Sequence, residues 1–129
     1  MTDEELLGYF EAGQAPPGGF HHAEHVRVAW CYARRHPWVA ALERFRTSLK
    51  GFAEAQGKPT LYHETITTAF MALVAERLDA GGSGADWETF AARNADLLSW
   101  KPSILDRYYR PETLASERAR RMFVLPDAR

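Results

Sequence analysis

Residues 61–78 read LYHETITTAFMALVAERL, and the period of this stretch decides the fold. Ile66, Phe70, Leu73, Val74 and Leu78 recur three and four residues apart, as on a helix with one face in a core. Thr60 stands where an N-cap belongs and Gly81 and Gly82 stand where the pattern stops, which predicts a helix between them. On its projection Thr65, Thr68, Glu76 and Asp79 face outward, while His63 falls at the centre of the apolar stripe.

Working outward, the same period recurs on both sides. Thr2 and Asp3 cap a first helix to about Ala12, and residues 13–19, GQAPPGG, form a loop that no helix can cross. A second helix is predicted over 21–35, ending before Pro37, because the residue ahead of a proline is pushed out of the α region. Pro37 opens a third over 37–56. Asp86 caps a fifth over 87–99, and shorter helices are expected over 103–109 and 112–124. No segment alternates with period two. The prediction is an all-α single domain over 1–129, a helical bundle of about four main helices with shorter flanking ones.

Composition narrows the function classes. The chain is 46% hydrophobic and 26% charged with a formal net charge of −1, the balance of a globular domain rather than a disordered segment. Lys and Arg are interspersed with acids, which argues against nucleic acid as a partner. The one basic cluster, Arg118, Arg120 and Arg121, reads as a solvated helix face. No apolar run approaches the ~18 residues of a membrane span, and the acidic start MTDEELLGYF is unlike a signal peptide. The single cysteine, Cys31, projects to the polar side of its helix; without an intramolecular partner it suits a reducing, cytoplasmic setting.

Histidines supply the candidate chemistry. On the second helix Val26, Ala29, Trp30 and Ala33 make the apolar stripe; His22 lies within it, His25 at its edge, and His21 at the boundary. Two short connections place the second and fourth helices parallel, so His22, His25 and His63, all in first turns, are expected at one end of the bundle. Three imidazoles on one side of an ion leave positions open for water or substrate, as in catalytic metal sites. The predicted cofactor is therefore a divalent transition metal, with Zn, Fe, Ni, Cu and Mn all open. Glu64 is a candidate fourth ligand or general base, and a solvated first-turn acid is the plain alternative. Asn94 interrupts the apolar stripe of the fifth helix, either orienting a substrate or bridging helix termini as a buried amide. The loop 13–19 leads directly into Phe20 and His22 and is expected to border the pocket.

These residues also carry a resemblance. FHHAEHVRVAW (20–30), LYHETITTAF (61–70) and LASERARRMFVLPD (114–127) are similar to a family of small bacterial helical proteins whose members read FxHxxHLxxAW, YHxTIT, LxSxxAR and PD. The resemblance implies that His22, His25 and His63 are the motif histidines and His21 is not, and its register selects Ser116 and Arg120. It carries no activity. Three readings stand: a small metal-dependent enzyme acting on a small molecule, a metal- or small-ligand-binding module without turnover, and a helical interaction protein whose histidines are structural.

Overall fold

The computed structural model describes residues 1–82 and 84–128, and among these every regular element is helical. Helix α1 (Asp3–Glu11) starts on a reciprocal cap in which Thr2 and Glu5 satisfy each other's backbone N–H groups at 3.1 and 2.9 Å. Helices α2 (His22–Arg35), α3 (Trp38–Ala55) and α4 (Glu64–Gly81) are the long elements. Phe20, just ahead of α2, meets Phe52 near the end of α3, while Tyr32 late in α2 reaches Ser48 and Phe45. Those two helices therefore run antiparallel. Around Phe20, the rings of Phe10, Phe45 and Phe52 close one end of the core, and Trp30 packs on Trp87 and Phe90 elsewhere in it.

Three predicted helices break, each for a local reason. At Asn94 the backbone leaves the helical region (φ −129°, ψ 43°), dividing the fifth helix into α5 (Trp87–Arg93) and α6 (Ala95–Leu98). Ser103 caps a short 3-10 turn, Ile104–Arg107, where the sequence predicts a sixth helix. The seventh splits into α7 (Pro111–Leu114) and α8 (Glu117–Arg121), because the Ser116 hydroxyl accepts from the Ala119 N–H and starts a new helix. Thr60 does not cap α4. It lies in a 3-10 turn, Pro59–Leu61, and His63 takes the capping position instead.

Thr65 is the main departure from the helical projection: predicted to face outward, it is fully buried. The chain after α8 crosses the first turn of α4 in extended form. There the Thr65 hydroxyl donates to the Met122 carbonyl at 2.9 Å and accepts from the Val124 N–H at 3.1 Å. A single side chain thus pairs with one residue's acceptor and another's donor, as a neighbouring strand would. Further along, Tyr109 donates to the Val124 carbonyl, and Asp127 accepts from the Arg110 N–H and the Thr113 hydroxyl. Cys31 also departs from projection. It is buried because α1 covers the flank of α2 that a lone helix would expose, with Arg27 of α2 paired to Asp3 at 2.7 Å. Burial pushes its thiol up to about 12, so it has no thiolate character.

The Thr65→Val variant keeps the side chain's shape and deletes both bonds to the tail, leaving a carbonyl and an N–H short of partners. Urea denaturation should show a loss of about 1–3 kcal/mol. Hydrogen exchange at the Val124 amide should quicken beyond what that loss explains. An unchanged denaturation midpoint would contradict the role assigned to Thr65.

Candidate functional site

His22 and His25 enter from the first turn of α2, whose preceding residue, His21, is extended and donates its N–H to Glu24 at 2.7 Å. The His21 side chain is exposed. His22 turns inward, its Nε2 donating to the Leu97 carbonyl at 2.9 Å, with its ring against Phe70 and Trp100 at 4.9 and 5.0 Å between centroids. A carbonyl only accepts, so Nε2 carries the proton and Nδ1 keeps a free lone pair. His25 stands edge-on to Phe20 at 4.4 Å. Burial lowers the His22 pKa, partly opposed by the bond to Leu97. Burial, reinforced by the neighbouring His22, lowers His25 to about 4. Both rings are neutral at pH 7.

His63 is placed differently. Its Nδ1 accepts from the Ile66 N–H at 3.1 Å and its Nε2 donates to the Leu114 carbonyl at 2.7 Å, so both ring nitrogens are engaged. On α4 the His22 ring meets the ring of Phe70, seven residues beyond His63 in the sequence. The antiparallel α2–α3 pair agrees with the sequence reading. Among the described residues no group of three or more His, Cys, Asp or Glu side chains is arranged to hold a metal ion.

Glu64 and Asn94 both have structural partners. Arg46 grips both oxygens of Glu64, Nη2 to Oε2 at 2.6 Å and Nε to Oε1 at 3.1 Å, and the Tyr62 hydroxyl donates to Oε1 at 2.6 Å. Burial opposes ionisation, yet these donors hold the carboxyl below its usual value, which makes Glu64 a poor proton acceptor. Half-buried Asn94 donates to the Phe90 carbonyl of its own helix and accepts from Arg77, which also grips Asp96, and neither bond reaches a histidine. The loop 13–19 docks on the end of α3, where Gln56 donates to the Gly13 carbonyl at 2.9 Å. It lines neither of the two clefts described next.

The larger cleft, about 330 Å³, lies between the first turn of α4, the segment 100–106 and Leu114. Ile66, Leu105, Leu114 and Trp100 give it apolar walls, and Lys101, Ser103 and Asp106 supply its polar groups. It touches both histidine regions indirectly. Trp100 packs on His22, while Ile66 and Leu114 are the residues whose backbone His63 ties together. The smaller cleft, about 260 Å³, is formed by Lys50, Glu54, Pro59, Tyr62, Arg120 and Arg121. Neither cleft is legible in the sequence, because each is closed by the tail, whose course no helical period encodes. Only the resemblance singles out Arg120. No family model matches the chain, and no curated protein or solved structure matches it either.

His22 and His25 set a pH dependence. Their folded pKa values lie below the unfolded value of about 6.5, so the unfolded chain takes up protons first as pH falls. The stability they leave intact above pH 6.5 is lost between there and about pH 4, the value to which His25 is lowered. For His25 the loss is on the order of 3 kcal/mol. Chemical denaturation across that range should show a shallower acid limb in His25→Leu than in wild type. Parallel limbs would contradict the burial of His25 as a neutral base.

Proposed function

We propose that the protein is a small-ligand-binding helical module whose ligand occupies the 330 Å³ cleft beside Trp100. The observation that carries this reading is the make-up of that cleft: apolar walls from three separated segments of chain, with a cation, an anion and a hydroxyl among its lining residues. Ligand sites are built this way, apolar surface supplying affinity and a few polar groups fixing orientation. Its volume suits a small molecule rather than a peptide. The presence of both Lys101 and Asp106 favours ligands with an acidic and a basic group over purely anionic ones. The placement of His63 lends support to this module over a three-histidine metal enzyme, since both of its ring nitrogens already hold backbone groups. His22 acts here through the ring of Trp100, which it buttresses from behind.

Trp100 is 47% exposed, so its indole reports on the cleft directly. Screening small apolar amino acids and amines by two-dimensional NMR should find ligands that saturably shift the Trp100 indole N–H with the Ile66 and Leu114 amides. Ile66→Trp fills the cleft and should abolish those shifts while circular dichroism stays helical. Ligand-induced shifts that persist in Ile66→Trp would contradict the assignment.

A further inference from the structure

The smaller cleft carries a separate inference, independent of the ligand proposed for the first. Lys50 comes from α3, and Arg120 and Arg121 come from α8, far later in the chain. The docked tail brings the three cations to one concavity. Their environment leaves positive charge in excess. Glu64 on α4 lies close enough to feel the Lys50 charge, but both its oxygens are taken by Arg46 and Tyr62 and it makes no salt bridge to Lys50. The Lys50 ammonium instead lies 5.1 Å from the centre of the Tyr62 ring. Arg120 is fixed in place, Nη1 donating to the Thr60 carbonyl at 3.0 Å and the rest of the guanidinium paired with Glu117. Among the described residues neither Lys50 nor Arg121 makes a salt bridge or side-chain hydrogen bond, and Glu54 is the one acid in the lining.

From this arrangement we infer that the cleft binds a small oxyanion, a phosphate or phosphomonoester group, through Lys50 and Arg121. Arg120 positions the wall and adds its field. The chemistry follows from the donors: a guanidinium and an ammonium that make no salt bridge or side-chain hydrogen bond among the described residues, on a shallow concavity that Pro59 and Tyr62 also line. A tetrahedral anion with three or four acceptor oxygens takes donors from both directions at once. The small size of the cleft favours a compact group over a nucleic-acid backbone, for which the balanced net charge of −1 offers no extended positive surface. Glu54 repels the bound anion, so removing its charge strengthens the complex while removing that of Lys50 or Arg121 weakens it.

The experiment is an NMR titration of the full chain with inorganic phosphate, phenyl phosphate, a short single-stranded oligonucleotide and chloride, at matched ionic strength because exposed charges are screened. Phosphate and phenyl phosphate should give saturable shifts at the Lys50, Tyr62 and Arg121 amides, and chloride should not. Lys50→Gln and Arg121→Gln should each weaken binding about tenfold, the loss of one charge-assisted bond. Glu54→Gln should strengthen it. All three positions are exposed, so these variants keep the fold. Equal response to chloride, indifference to Lys50→Gln and Arg121→Gln, or weaker binding in Glu54→Gln would each overturn the inference. Tighter, variant-sensitive binding of the oligonucleotide than of phenyl phosphate would overturn the assignment to a small phosphomonoester.

Discussion

The first turn of α4 holds the C-terminal quarter of the chain, and it does so through His63 and Thr65. A helix N-terminus leaves backbone N–H groups without partners inside the helix. His63 satisfies one of them with Nδ1 and, because the neutral ring has a donor on its other side, delivers Nε2–H to the Leu114 carbonyl. Few side chains accept and donate in opposite directions across one rigid ring. Two residues on, Thr65 repeats the pattern with a hydroxyl, donating to Met122 and accepting from Val124. A third tie comes from the tail itself, where Arg120 donates to the Thr60 carbonyl just ahead of the helix.

The segments so held could not stand alone. Helices of four and five residues, the lengths of α7 and α8, are far below what is stable in isolation. Their position rests on these bonds and on the burial of Tyr109 and Ala119. Both clefts depend on the same ties. Leu114, fixed by His63, forms a wall of the larger one, and Arg120, fixed by the Thr60 carbonyl, forms a wall of the smaller. Loosening the clamp would therefore open two sites together, although no side chain is shared between them.

Much of this fold is legible in the sequence, and the reasons it is legible also explain where legibility stops. The apolar period places α1 to α4 within a few residues, since long helices are governed by a repeating local rule. Breaks at Asn94 and Ser116 are less visible: the Ser116 hydroxyl takes the Ala119 N–H that a continuous helix would satisfy itself, and the Asn94 side chain is held by Arg77 of another helix. The projection turns His22 and His63 away from solvent, yet it cannot say which backbone groups their ring nitrogens will meet, Leu97 for the one and Ile66 and Leu114 for the other. It cannot separate a ring whose nitrogens are both bonded from one with a free lone pair. Thr65 misleads for the same reason: a polar residue on the outer arc of a helix looks solvated until something folds over it. The motif pieces of the resemblance point to this region, since YHETIT and LASERAR are the two halves of the contact that ties the tail to α4.

The central claim, that His63 is a structural ring with both nitrogens engaged, is tested most directly by its protonation and tautomeric state. Long-range proton–nitrogen NMR correlations distinguish the two neutral tautomers and the imidazolium from one another. The bonds to Ile66 and Leu114 predict a His63 ring that carries its proton on Nε2 and accepts at Nδ1, with that proton protected from solvent exchange and lost from view when Thr65 or Leu114 contacts are disrupted. A His63 ring protonated at Nδ1, averaging freely between tautomers, or shifting as a ligand does on addition of a divalent transition metal would contradict it.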